Sequence, residues 1–354
     1  MRDDLPSLTA GTVAFVTALR WYQGHKLGIL QAELMRNLHQ RYMPLPLWML
    51  MQICLSFQFA AMIFLSFFQM IMGKAEVFDG VWMRKVYMEA QVVQFLETHE
   101  REGKDVRVII LAAGYDLLAF RLAKQYPNVQ FIEIDHPATG EAKLSALRNL
   151  MEQQRENNRK SESTPLNSKD TESDAIWLPI NLIFCHDKVG EDGCTIRQAL
   201  EKNGLKVRDT EIPTAVVMEG LSFYLTEKEN KSIFREMGVL FGCNGSIIAF
   251  DFFYLDEYCR PSNPNLKKVS SWVASFMKLK VELCGEPFKW GISPENLPSW
   301  FEGTGWEPIP SIETFQNYGA NHPKYATMMG MEYESTVKWV GRKSVHSAIL
   351  RHHD

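Results

Sequence analysis

The sequence predicts an α/β fold built on a parallel sheet, and three observations carry that reading. VRVIIL (106–111) is a short aliphatic, β-branched run followed by small residues, Ala112-Ala113-Gly114. A helix-like stretch, DLLAFRLAKQY (116–126), then leads past Pro127 into a second such run, VQFIEID (129–135). Strand, turn, helix, strand at this spacing is a βαβ unit. Third, the texture repeats downstream: INLIFC (180–185), TAVVM (214–218) and SIIAFDFF (246–253) alternate with helix-like segments near 194–203 and 226–241. Continuous apolar runs of this length suit strands covered on both faces.

Before the sheet, 8–42 reads as helical, with Thr9 and Thr12 as candidate caps. WMRKVYMEAQVVQFLET (82–98) spaces Val86, Ala90, Val93 and Leu96 as one helix face. Between Arg41 and Lys74 there is no charged residue. The best windows of that run average roughly 1.9 on a hydropathy scale, enough to nominate a membrane helix. Gln52, Gln58 and Gln69 argue instead for helices buried in the protein, because an amide facing lipid lacks a partner. Burial is the expectation, and membrane contact through 42–73 stays open beside it. After a helix from Pro137 to Leu150, residues 151–175 are almost entirely polar and read as a flexible surface insertion. The tail, 265–354, mixes both patterns.

The chain has 354 residues, room for one large domain or two modest ones. Its net charge is -4, so no global positive field draws it to nucleic acid, and none is expected as a partner. Six scattered cysteines, without a C-x-x-C pair or a histidine cluster, suit reduced thiols rather than a metal site. With an N-terminus that lacks a signal-like apolar stretch, a cytoplasmic location is expected, membrane association being the alternative.

Open parallel sheets bind ligands beyond the carboxyl ends of their strands. Those ends carry Gly114 and Asp116, then Glu133 and Asp135, His186 and Asp187, Glu219-Gly220, and Asp251 within the last run. A small-residue turn admits close approach, and an acid ending the second strand suits ribose hydroxyls. The run A-A-G-Y-D-L lacks the third glycine of a dinucleotide loop, and Asp116 would repel a pyrophosphate. The same acid suits the cationic sulfonium and amino group of S-adenosylmethionine. A dinucleotide-dependent oxidoreductase is therefore disfavoured.

These stretches resemble the leucine carboxyl methyltransferase family, including its polyketide O-methyltransferase relatives. The likeness runs through VIILAAGYDLLAFRL with FIEIDHPAT, PTAVVMEGLSFYL, GEPFKWGISPENLPSWFEGTGW and, more faintly, WMRKVYMEAQVVQFL. It covers roughly residues 80–306. It implies a Rossmann-like class I methyltransferase sheet with helices on both faces, in a domain spanning 81–354. Residues 1–80 would form an N-terminal helical cap. It also implies S-adenosylmethionine as cofactor and O-methylation of a small molecule or a protein C-terminal carboxylate. Arg84 would hold the methionine carboxylate, Gly114 the methionyl part, Asp135 the ribose and Asp187 the adenine. Glu219 would lie by the amino group or the reacting centre, and Tyr224 would line the acceptor pocket. Two departures stand out: Ala112 replaces the first glycine of the family's G-A-G, and Leu117 a threonine. They and the uncharged run motivate a second reading, a nonenzymatic methyltransferase-like module. No general base is assigned from sequence; a carboxylate acceptor needs none, whereas a hydroxyl would benefit from one.

Overall fold

The computed structural model describes residues 6–23, 26–72, 76–162, 178–190, 193–205, 212–243, 245–253, 285–292, 296–309 and 345–352. Its centre is a sheet of seven strands, β1 (Arg107–Leu111), β2 (Gln130–Asp135), β3 (Leu182–His186), β4 (Thr214–Met218), β5 (Ile247–Phe253), β6 (Trp306–Pro308) and β7 (Val345–His352). The order is β3-β2-β1-β4-β5-β7-β6. Strands β1 to β5 pair in parallel, with Ile109 opposite both Ile132 and Val216. Strand β7 runs antiparallel to both β5 and β6. This is the Rossmann-like sheet that the resemblance implies.

Alternation along β1 divides the core. Val108 and Ile110 join one apolar cluster and Ile109 and Leu111 the other, so both faces are covered. Helices α6 (Leu118–Gln125) and α7 (Pro137–Glu162) follow β1 and β2, with α8 (Ile196–Lys202) after β3 and α9 (Glu227–Phe241) after β4. Helices α8 and α9 start on capping boxes, Thr195 with Gln198 and Thr226 with Glu229. A short α10 (Leu297–Phe301) precedes β6. Helix α7 is longer than expected. It continues through 151–162, the first half of the polar stretch, and the rest of that stretch lies outside the described residues. No breaker interrupts the polar sequence there, so the helix runs on, with Glu152, Gln153, Arg155 and Glu156 exposed.

The N-terminal part comprises α1 (Leu8–Ala18), α2 (Lys26–Arg36), α3 (Leu45–Ser56) and α4 (Gln58–Met72). Ser7, rather than Thr9 or Thr12, caps α1, its side chain accepting from the Ala10 amide. Thr12 instead returns its hydroxyl to the Leu8 carbonyl. Helix α5 (Glu76–Glu102) bridges this part to the sheet, so residue 80 lies inside a continuous helix. At ~1.5 Å per residue α5 is about 40 Å long.

The uncharged run forms α3 and α4, which meet at a bend of 120°. Among the described residues no single helix is long and apolar enough to cross a membrane. Expected burial holds for one face: Met51, Cys54, Leu55, Ala61 and Leu65 are in the core. The opposite face is not buried; Met49, Ile53, Phe57, Phe59, Ile63 and Phe67 are exposed. A segment apolar all round has no polar face to turn outward, so part of its apolar surface stays uncovered. Gln52 finds its partner in the Arg36 carbonyl at 3.2 Å, whereas Gln58 is exposed and the Gln69 side chain lies outside the described residues.

Candidate active site

Strand β1 has β2 on one side and β4 on the other, so the strand order reverses there, and a crevice opens beyond the carboxyl ends at such a switch point. A cavity of about 500 Å³ occupies it. Its walls include all six residues assigned from sequence, Arg84, Gly114, Asp135, Asp187, Glu219 and Tyr224. Ser7, Thr9, Ala10, Val13 and Gln31 of the N-terminal helices close it from the other side. The Gln31 amide donates to the Tyr115 carbonyl at 2.9 Å, tying α2 to the loop after β1.

That loop turns sharply. Ala112 and Gly114 both take left-handed backbone, φ 54° and 55°. Only glycine does so without a steric penalty. Asp135, ending β2, accepts from the Gly114 amide with one oxygen and from its neighbour His136 at 2.6 Å with the other. Burial pushes its carboxyl up to about 6, against the pull of these amides. Each carboxylate oxygen keeps lone-pair capacity after one such bond.

Charge concentrates where α5 faces β1, β4 and β5. Arg84 donates to Glu219 at 3.0 Å and to Asp251 at 3.1 Å. Lys85 bridges Asp116 and Glu219. Asp251 is fully buried and also accepts from the Gly220 amide at 2.7 Å. Burial alone would raise the Asp116 carboxyl, but the Lys85 ammonium holds it well below the usual range. Burial raises Glu219 and Asp251 despite their cationic partners. Arg84 and Lys85 are both held cationic, their carboxylates outweighing desolvation.

Two expectations change here. Asp116 does not face the cavity as a lone negative charge, because Lys85 neutralises it. The Arg84 guanidinium does not stand alone at the cavity wall, because it already serves two carboxylates. Sequence reading passed over Lys85 and gave Asp251 no assigned role. Lys85 follows Arg84 on a helix, where no period singles it out, and Asp251 is one acid inside an aromatic run. Asp187 accepts from Lys202 and from Asn203, the latter at 2.9 Å, so much of its capacity is used within the fold. Tyr224 sits against Phe223 and Phe288, and burial raises its phenol, which therefore stays protonated.

The G-E-P segment supplies a further wall. The Lys289 amide donates to the Phe223 carbonyl at 2.8 Å, and Phe288 packs on Tyr224 with centroids 5.5 Å apart. These contacts fix Glu286 at the cavity, 8% exposed. The motif was visible in the sequence, but no role attached to its acid.

The model of the family "Leucine carboxyl methyltransferase" matches residues 68–238, which contain α5, β1 to β4 and all six assigned residues. That match takes in just under half of the chain and agrees with the resemblance read from the sequence. The chain is a methyltransferase that depends on S-adenosylmethionine, and the choice between enzyme and nonenzymatic module falls to the enzyme. The residues present fit that cofactor. Arg84 and Lys85 beside Glu219 and Asp116 match the opposite charges of a zwitterionic amino-acid end. Asp135 retains acceptor capacity for a diol.

Among solved structures, the chain is similar to a duf574 family protein from Streptomyces avermitilis, at 13% identity and TM-score 0.45, over 80% of this chain and 95% of that one. It is also similar to the mitomycin 7-O-methyltransferase MmcR, at 12% and 0.35 over 70% and 49%. A third is PKMT2 from Rickettsia typhi, at 9% and 0.37 over 70% and 49%. The chain thus spans about half the length of the last two. No curated protein matches it.

Proposed function

We propose that the cavity holds S-adenosylmethionine along the carboxyl ends of β1 to β4 and that the chain methylates an oxygen of a small molecule. The observation that carries this is Asp135. It stands at the switch point, oriented by two amides, with acceptor capacity facing a cavity of small-molecule size. Arg84 and Lys85 take the carboxylate of the amino-acid end, Glu219 takes its ammonium, and Asp187 lines the base end. When bound, the cofactor supplies a methyl group already activated on a sulfonium. The protein's work is alignment, which can account for ~7–11 kcal/mol of barrier. Tyr224, held protonated, donates a hydrogen bond and is no base.

Calorimetric titration with S-adenosylhomocysteine tests the reading. Micromolar binding at pH 7.5 is expected, with loss in Asp135→Ala. The raised Asp135 carboxyl adds a pH arm. Above pH 6 it is charged and accepts with both oxygens; as pH falls through about 6 it takes up a proton, and the charge and one oxygen's acceptor role go. Affinity at pH 5 should be about tenfold weaker than at pH 7.5, one decade per unit below the midpoint. The ligand's own groups do not titrate in that window. A wild-type transition centred well away from pH 6 would belong to another group. Unchanged binding in Asp135→Ala would sink the assignment.

A further inference from the structure

We infer that Glu286 receives the acceptor's proton, and that the acceptor is therefore a hydroxyl or phenol rather than a carboxylate. This rests on the methyl-transfer reading above and narrows it. The cavity walls carry six acids, Asp116, Asp135, Asp187, Glu219, Glu229 and Glu286. Five have partners. Asp116 and Glu219 are held by Lys85 and Arg84, Asp135 by two amides, Asp187 by Lys202 and Asn203, and Glu229 by the Thr226 amide in the α9 capping box. Glu286 alone has no hydrogen-bond or ion-pair partner among the described residues, although it is 8% exposed. At the cavity wall its carboxylate keeps its full acceptor capacity for a ligand's donor.

The cations point the same way. Arg84 and Lys85 pair with Glu219, Asp116 and Asp251, and in the reading above what they have left goes to the cofactor's own carboxylate. Lys289 and Lys188 line the cavity too, but the Lys289 ammonium acts on Glu229 and Lys188 has an interaction of its own. An incoming carboxylate would meet an acid, Glu286, whose charge no ion pair offsets among the described residues. An O–H group would find in Glu286 an acceptor for its proton. Position agrees, because the segment bearing Glu286 is pinned to the turn bearing Tyr224, and the Glu286 charge is felt at both Tyr224 and Asp135. The acid thus lies between the cofactor's ribose end and the acceptor wall.

The step balances without another reactant. The acceptor oxygen forms a bond to the methyl carbon while the carbon–sulfur bond breaks. The electron pair of that bond stays on sulfur, which becomes a neutral thioether. The acceptor's proton passes to the Glu286 carboxylate, which becomes a carboxylic acid and later returns the proton to water. A carboxylate acceptor would carry no proton to give, and Glu286 would have no part in its reaction.

Binding of two matched probes tests the inference apart from turnover. Protein saturated with S-adenosylhomocysteine is titrated with 1-naphthol and with 1-naphthoate at pH 7.5. At least a tenfold preference for 1-naphthol is expected. Glu286→Gln keeps the shape, removes the charge and offers an N–H. In that variant 1-naphthoate should gain at least tenfold while S-adenosylhomocysteine affinity changes less than about threefold. Glu286→Asp should keep the wild-type preference and so report on the charge alone. A wild-type preference for 1-naphthoate, or an unchanged ratio in Glu286→Gln, overturns the inference. Failure of S-adenosylhomocysteine to bind the wild type overturns the cofactor reading instead, so the two failures are distinct.

Discussion

At Ala112 the backbone turns out of β1 with φ 54°, a region in which a β-carbon crowds the carbonyl that follows. Two features hold it there. Its amide donates to the Ile134 carbonyl at 2.8 Å, and the next residues must bring Gly114 to Asp135. A left-handed non-glycine residue costs ~1–2 kcal/mol, and glycine returns ~0.4–1 kcal/mol of that through its freer unfolded chain. Ala112→Gly should therefore stabilise the protein by about 0.5–1 kcal/mol, read as a higher urea midpoint at unchanged slope. A lower midpoint would mean that the turn is not strained. The same turn explains which site residues the sequence made legible. Gly114, Asp135 and Glu219 follow directly on strands and so declare themselves by position. Lys85 and Asp251 do not, because their role comes from a helix and a strand meeting across 31 to 167 positions of chain. Glu286 lay inside a legible motif, yet its meaning depends on every other cavity acid being paired.

Helices α3 and α4 separate what packing requires from what composition suggests. The composition is uniform, so sequence could not say which face would be covered. The structure divides the run: Leu55 is fully buried, with the Arg36 side chain on its carbonyl, whereas Phe57 and Phe59 at the bend are 64% and 74% exposed. Leu55→Ala should cost about 2–5 kcal/mol, the usual range for emptying a packed leucine site. The double variant Phe57→Ser, Phe59→Ser should change stability by less than about 1 kcal/mol, since little burial is lost. It should, however, clearly lower binding of an apolar dye such as anilinonaphthalene sulfonate. If the phenylalanine pair proved as costly as Leu55→Ala, the bend would be buried in solution. Elements with a distinct period or cap were the readable ones. Strands β1, β2, β4 and β5 fall within a residue of their expected runs, while β3 starts two residues late. The boundaries that moved, in α7 and α5, lie where polar or mixed sequence leaves a helix no reason to stop.

On the scale of the whole molecule, the cavity belongs to neither part alone. Helix α1 lines it, Ala10 lies against Gly114, and Gln31 reaches the Tyr115 carbonyl. The Ser7 amide donates to Thr139 at 3.0 Å, a second tie from the N-terminal helices to the sheet's α7. A ligand seated on the β1 turn therefore draws binding energy from both parts and should stabilise both. At a ligand concentration of 100 times Kd the gain is ~2.7 kcal/mol, equivalent to about a hundredfold fewer openings. Amide exchange with and without S-adenosylhomocysteine reads this directly. Slowing of up to a hundredfold is expected in β1 and β2, and slowing of the same order in α1 and α2, which carry the shared wall. Protection confined to the sheet would mean that the N-terminal helices open independently of the site. In that case the contacts at Ala10 and Gln31 would be packing without consequence for the ligand. Equal protection would instead make the helical cap part of the binding unit. Substitutions in α1 that never touch the cofactor would then weaken its binding through closure of the cavity.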